Sequence, residues 1–242
     1  MNLKNNNKVD LANKDDAYRM FDRISGRYDL LNRLLSFGQD ILWRRRLSKL
    51  PGFRQDQVFL DLATGTGDIL FTFLKRRSDI SHGIGLDMSS QMMQHAKRKA
   101  TKKREEKRCA FIRGDANRIP GKSDRFDFTT MAFGIRNISD PQVTIDEIYR
   151  VLKPGGMVLI LEFSIPPNPL FRPLFLFYLR RILPLVGMIV SGDSMAYRYL
   201  NESIEDFPYG RAFADLLDKA GFGDIALFPL TFGIATIYRG IK

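Results

Sequence analysis

Apolar positions follow two alternating rhythms along this chain. Over 17–50 the apolar residues Tyr18, Phe21, Ile24, Leu30, Leu31, Leu34 and Leu35 recur at helical spacing, broken near Ser25-Gly26 and stopped by Pro51-Gly52. Residues 58–63 (Val-Phe-Leu-Asp-Leu-Ala) form an apolar run too short for a helix, leading straight into Thr64-Gly65-Thr66-Gly67-Asp68. A helix over 69–77 follows, then a strand over 82–87 that ends in Asp87. Ser89 caps a helix with Met92, Met93 and Ala96 on one face. A third strand, 109–112, ends near Gly114-Asp115-Ala116, and 126–133 is a fourth. Asp140 caps a helix opening at Pro141, whose inner face is Val143, Ile145, Ile148, Val151 and Leu152. Pro154-Gly155-Gly156 stops that helix and launches a strand over 157–163. After a long insertion come a helix over 209–220 and two closing strands, 225–230 and 234–238.

Strands alternating with helices predict an α/β protein with a mostly parallel sheet, right-handed crossovers and helices on both faces. Seven strands in this pattern make a Rossmann-like sheet, and the last two, with no helix between them, close it as an antiparallel hairpin. The polar stretch 1–16 reads as a flexible arm, and 17–242 as a single domain, which 242 residues suit. Two segments stand outside the alternation, 17–50 and 164–208. They are expected to cap the C-terminal edge of the sheet, where open α/β sheets bind ligands.

Composition removes several kinds of chemistry. The single cysteine, Cys109, forbids an internal disulfide, and with only two histidines, His82 and His95, a metal site lacks ligands. No metal is expected. The formal net charge is +11, and eight basic residues against Glu105 and Glu106 fall within 97–108. That run is either a solvated helix end or a phosphate- or headgroup-binding patch. The most apolar long window, 170–190, contains Arg172, Arg180, Arg181, Pro173 and Pro184, which argues against a bilayer-spanning helix. It suits an interfacial segment on an anionic membrane, a lid over a substrate pocket, or both. The polar N-terminus carries no targeting pattern, so a cytoplasmic, bacterial protein is expected.

The turn after the first strand suits a nucleoside ligand. Gly65 and Gly67 let the backbone turn sharply beside a ligand, and the following helix offers unpaired N–H groups. Asp87, twenty residues beyond Gly67, stands where a carboxylate accepts both hydroxyls of a ribose. Dinucleotide enzymes share this geometry but need a third small residue, and here Leu70 occupies that place. A nucleoside with an amino-acid tail, S-adenosylmethionine, is the better fit. Asp115 is then expected at the adenine amino group, Ala116 at the ring edge, and Asp61 at the methionine ammonium.

Longer stretches carry a family resemblance. The segment 150–164 (Arg-Val-Leu-Lys-Pro-Gly-Gly-Met-Val-Leu-Ile-Leu-Glu-Phe-Ser) resembles a signature of the UbiE/MenG quinone-biosynthesis C-methyltransferases. So do Phe133-Gly-Ile-Arg-Asn137, the stretch 28–43 and Tyr197-Arg-Tyr-Leu-x-Glu-Ser203. The resemblance runs from about Tyr18 to the C-terminus. It implies a class I methyltransferase fold, S-adenosylmethionine, C-methylation of a polyprenylated quinol, and a homodimer as the assembly to test. Carried over residue by residue, it implies cofactor contacts at Thr66, Asp87, Asp115 and Ala116, with Ala132 contributing only backbone where relatives often have Ser. The chain departs from the pattern at Leu31, Asp40 and Thr64, where the family usually has Met, His and often Gly. Asp40 is read as structural.

A sulfonium methyl is already activated, so catalysis is chiefly alignment plus stabilisation of charge on the quinol oxygen. Arg136 and Asn137 are the catalytic candidates; the competing reading pairs Arg136 with an acid that fixes its loop. Tyr28, Asp193 and Tyr197 are candidates to line the quinol pocket. A naphthoquinol ring is favoured over a benzoquinol. Nucleic acid is not an expected partner: the segment after the fourth strand lacks an Asn/Asp-Pro-Pro-aromatic motif, and Cys109 is far from the strand tips. A non-catalytic cofactor-binding partner of quinone-pathway proteins is the remaining alternative.

Overall fold

The computed structural model describes residues 17–191 and 194–242. Three helices, α1 (Ala17–Ile24), α2 (Tyr28–Leu35) and α3 (Gln39–Leu47), precede the sheet. Strands and helices then alternate: β1 (Gln57–Leu62), α4 (Asp68–Arg76), β2 (Ile80–Asp87), α5 (Ser90–Lys103), β3 (Cys109–Arg113), β4 (Phe126–Ala132), α6 (Pro141–Val151) and β5 (Leu152–Phe163). A second helical block follows, made of α7 (Phe171–Phe177), a π turn (Tyr178–Ile182), α8 (Leu183–Ser191) and α9 (Ser194–Asp206). The chain closes with α10 (Arg211–Lys219), β6 (Gly223–Leu230) and β7 (Ala235–Ile241). The seven strands lie in the order β3-β2-β1-β4-β5-β7-β6. The first five are parallel, and β7 is antiparallel to both β5 and β6.

The expected α/β architecture is therefore the observed one. Its central strands read as continuous apolar runs because helices cover both faces of the sheet. One face packs Leu60, Leu62, Ile145, Ile148 and Tyr238 into a buried core. The other packs Phe59, Phe73, Phe128, Leu159 and Ile237. Phe59 and Phe128 stack face to face with ring centres 4.8 Å apart.

Three local expectations need correction. The 17–50 helix breaks twice, because Phe37 and Gly38 turn into the left-handed region (φ 50° and 74°) and start α3 in a new direction. The fifth strand begins at Leu152, not Met157: α6 ends at Val151, and Leu152 pairs with Phe126 ahead of the Pro-Gly-Gly segment. The closing hairpin does not simply extend the sheet, since β7 inserts beside β5 and leaves β6 outermost.

The segments outside the alternation pack together as a cap. Leu31 of α2 meets Ile165, Phe175, Leu179, Leu183 and Ile204 in a third apolar cluster. Pro184 lies one residue inside α8, just after the π turn. The wider i→i+5 pattern of a π turn accommodates a missing N–H and the steric bulk of a proline ring. The basic run 97–108 lies elsewhere, at the end of α5 and ahead of β3, which is the N-terminal edge of the parallel strands. Arg108 is held there by the carbonyls of Leu74, Arg77 and Ile80. Lys99 reaches Thr66 and Asp68 beside the turn after β1, and the end of the run faces away from the strand tips, as a solvated helix end would.

Phe128→Ala removes a ring that is 1% exposed from the stack with Phe59, and is expected to cost about 3–5 kcal/mol of stability, measured by urea denaturation.

Candidate active site

The turn after β1 is built on unusual backbone. Ala63, Gly65 and Gly67 all have positive φ (47°, 55° and 81°), and so has Phe133 at the tip of neighbouring β4 (56°). Non-glycine residues in this region carry strain that surrounding structure must hold, and such residues concentrate at ligand sites. Here the holding contact is Asp87 at the tip of β2. Its Oδ2 accepts from Gly65 N–H at 2.8 Å and its Oδ1 from Ser89 N–H at 2.7 Å. Each oxygen keeps a second lone pair. Burial raises the Asp87 pKa, opposed by these two backbone donors.

A cavity of about 120 Å³ opens beside this turn. Gly65, Asp87, Asp115, Ala116 and Ala132 line it, as sequence reasoning expected, together with Ala63, Met88 and Met92. Asp115 stands at the exposed rim with Oδ1 accepting from Asn117 N–H. Asp61, Thr66 and Gly67 lie behind the wall instead. Asp61 is 1% exposed, and its two oxygens accept from the hydroxyls of Thr64 and Thr130 at 2.7 Å each. These two hydroxyls form a buried clamp on Asp61 that fixes the turn. Thr66 donates its hydroxyl to Asp29 at 2.6 Å and accepts from Lys99, so it ties α2 to the turn. Gly67 is needed for packing, because a Cβ there would meet the Phe71 ring at 2.7 Å.

A network of charges closes the first helices over this cavity. Lys99 of α5 pairs with Asp29 of α2 and with Asp68 of α4. Asp68 also pairs with Arg44 at 3.1 Å, and Arg44 pairs with Asp40. Although burial alone would raise it, Arg44 and Lys99 hold the Asp68 pKa below the usual carboxylate range. Asp22 accepts from Ser89 Oγ and Gln91 N–H at the start of α5. Tyr18, Phe21 and Tyr28 are thereby laid along the cavity wall.

A second, larger cavity of about 470 Å³ lies under the cap. Its wall is largely aromatic and aliphatic, with Trp43, Phe133 and Phe163 clustered at ring-centre distances of 4.6–6.2 Å. Phe21, Tyr28, Phe133 and Asn137 line both cavities and form their shared wall. Arg136, 4% exposed, sits in the 3₁₀ turn Ile135–Asn137 and lines the larger cavity. Its Nη1 donates to Glu162 Oε1 at 2.7 Å and to the Phe133 carbonyl at 2.8 Å. Arg136 thus pairs with an acid, as the competing reading expected, and it also lines the larger cavity. Of the other pocket candidates, Asp193 lies outside the described residues, and so does the side chain of Tyr197, whose backbone belongs to α9.

Residues 9–242 match the ubiE/COQ5 methyltransferase family. The chain belongs to that family. This methyltransferase is 44% identical to the demethylmenaquinone methyltransferase of Thermus thermophilus over 91% of its own length and 99% of that protein's. It is 41% identical to the ubiquinone/menaquinone biosynthesis C-methyltransferase UbiE of Geobacter sulfurreducens, covering 96% of this chain and 91% of the relative. The fold is shared more widely. A SAM-dependent methyltransferase of Thermotoga maritima superposes with a TM-score of 0.63 at 19% identity, covering 93% and 99% of the two chains. The fold expected from the resemblance is therefore confirmed as that of SAM-dependent methyltransferases.

Sequence reasoning missed two site residues of this methyltransferase. Glu162, 0% exposed, carries Arg136 from the tip of β5; an acid inside an apolar strand signals a buried partner. Tyr199, 9% exposed, lines the larger cavity two residues beyond the tyrosine that was singled out. Asp40 is buried, accepts from Ser36 Oγ and pairs with Arg44, and it also lines the larger cavity.

Burial pushes the Asp61 carboxyl up to about 7. The folded state therefore binds a proton that the unfolded chain releases near pH 4, and this contribution to stability fades as pH rises towards 7. Asp61→Asn lacks that titration. Relative to wild type, the variant's stability is expected to improve between about pH 5 and about pH 7.5, measured by denaturant unfolding at both values.

Proposed function

We propose that this methyltransferase transfers a methyl group from S-adenosylmethionine to a ring carbon of a polyprenyl quinol, with demethylmenaquinol as substrate and menaquinol as product. One observation carries the reading: a small cavity with a ribose-type carboxylate and a large aromatic cavity with a buried guanidinium share the wall formed by Phe21, Tyr28, Phe133 and Asn137. The relatives named for quinone methylation support it.

The residues of the small cavity fit the cofactor. Asp87 offers two acceptor oxygens to a pair of ribose hydroxyls, and Asp115 at the rim offers one to an adenine amino group. Ala63, Met88, Met92, Ala116 and Ala132 make an apolar wall for a flat base. A side chain at Gly65 would meet nothing nearer than 4.0 Å and would project into open space beside the cavity. S-adenosylmethionine, when bound, supplies a methyl group already activated on a positively charged sulfur.

The larger cavity does the rest of the chemistry. Its aromatic walls sandwich a bicyclic ring, and its aliphatic end takes an isoprenoid tail. Arg136, fixed by Glu162, stabilises negative charge on the quinol oxygen, which raises electron density at the adjacent ring carbon. Water takes the phenol proton and, after transfer, the ring C–H proton as well, whose loss restores aromaticity. Low dielectric around a guanidinium only 4% exposed strengthens its pull on the oxygen.

The rim of this cavity is suited to a membrane surface. Phe37, Leu174 and Phe177 line the cavity and are also 79%, 62% and 58% exposed, with Leu170 and Phe232 beside them at 88% and 76%. Arg172 and Arg181 are exposed on the same helical block. Apolar tips ringed by cations bind the interface of an anionic bilayer, where the substrate resides. Among the described residues no helix is long and apolar enough to cross a membrane.

Arg136→Ala is expected to lower kcat about 10²- to 10³-fold while leaving cofactor affinity nearly unchanged, measured by labelled methyl transfer and calorimetry; a loss of cofactor binding instead overturns the assignment. Leu170→Glu with Phe232→Glu, at exposed positions outside the cavity lining, is expected to abolish flotation with anionic liposomes yet preserve turnover of a short-tailed quinol. Wild-type protein that fails to float sinks the docking face.

A further inference from the structure

Buried polar atoms without a partner are uncommon in folded proteins, and each marks either strain or an absent ligand. Among the described residues, three such atoms belong to residues that line the larger cavity. Arg136 Nε, Asn137 Oδ1 and Tyr199 Oη are all buried and unpaired, and all three residues line that cavity. Arg136 and Asn137 share the 3₁₀ turn after β4, and α9, which carries Tyr199, packs on that turn. The charges of Arg136 and Glu162 both act on the Tyr199 hydroxyl.

The chemistry of the three atoms is complementary to one group. Arg136 Nε carries a hydrogen and can only donate. The Asn137 amide is oriented by its own contact: Nδ2 donates to the Phe133 carbonyl at 3.3 Å, an oxygen that can only accept, so Oδ1 is the free atom and accepts. Tyr199 Oη has no acceptor of its own, so its O–H is an unused donor. One acceptor and two donors match a phenolic hydroxyl, which has one O–H to give and lone pairs to receive. A quinone carbonyl would leave Asn137 Oδ1 unpaired, at the cost of an unsatisfied buried acceptor.

Resting on the functional reading above, we infer that Tyr199 is a third substrate-contacting residue, donating to the quinol oxygen that Arg136 and Asn137 also hold, and that this set selects the reduced ring. When the oxygen loses its proton to water, the bond from Asn137 is lost while those from Arg136 and Tyr199 strengthen, because donors to an anion bind more tightly than donors to a neutral oxygen. Tyr199 therefore favours the ionised quinol over the neutral one.

Tyr199→Phe keeps the ring and removes only the hydroxyl. The variant should retain wild-type thermal stability and cofactor affinity, which reports that it folds. With a short-tailed naphthoquinol, kcat should fall about 10- to 100-fold with KM changed less than threefold. The rising limb of the pH–kcat profile should move to higher pH, because the bound phenol ionises less readily. A merely structural role would not move that limb. Wild-type enzyme without activity on the quinol overturns the functional reading and this inference with it. Active wild type, with a Tyr199→Phe variant that matches it in kcat, KM and pH profile, overturns the role of Tyr199 alone. As a second check, Asn137→Asp, which adds a charge at the acceptor, should raise the same limb further; an unmoved limb argues against the shared oxygen site.

Discussion

The buried pair between Arg136 and Glu162 is the constraint on which the site depends. Neither group has solvent to stabilise its charge, and isolating either one in the interior would cost far more than their joint burial. The pair is also spatially demanding. Glu162 Oε1 accepts from Arg136 Nη1 and from its neighbour's backbone at Phe163, while Oε2 accepts from the Arg136 backbone. One carboxylate thus fixes both the side chain and the main chain of the turn after β4. Such a pair contributes little net stability, and its value is positional: the guanidinium reaches the cavity at one angle, with Nε left open and its plane near the Phe163 ring.

The same logic extends to the cofactor side. Strain at Ala63 and Phe133 sets the tips of β1 and β4 beside the small cavity, and Phe133 borders the larger one as well. Hydroxyl clamps on Asp61 and backbone donors on Asp87 hold the strained turn without filling the space beside it. Lys99 and Thr66 then join this turn to α2, so that the first helices and the turn beside the small cavity form one charged assembly. Charge in this protein serves mainly to register elements with one another. Of the basic run at 97–108, conspicuous in the sequence, Lys99 serves this assembly, while its end at Arg108 lies at the far edge of the sheet.

The cap shows the opposite balance. Its elements are joined by apolar contacts among Leu31, Phe175, Leu179 and Ile204, and they leave large side chains in solvent around the cavity mouth. Burial of aliphatic and aromatic surface is non-directional, so such a cap adapts to a flexible tail more readily than a hydrogen-bonded one would. Precision is confined to the floor, where Arg136, Asn137 and Tyr199 stand; adaptability is left to the walls.

The sequence by itself determined the order of strands and helices, the turn after β1, the carboxylate of Asp87 twenty residues on, and the family through segments such as 150–164. These are local: apolar period, glycine conformation and fixed spacing all operate within a few tens of residues. Only the tertiary structure decided which members of the glycine turn face the cavity. Asp61, Thr66 and Gly67 differ from Gly65 in where their partners Thr130, Asp29 and Phe71 stand, and two of those partners lie on other elements of the fold. It also decided that β7 pairs with β5, that Glu162 answers Arg136, and that Tyr199 lines the larger cavity. Those contacts join residues separated by tens of positions or more, and a linear pattern holds no record of which distant side chain arrives opposite another.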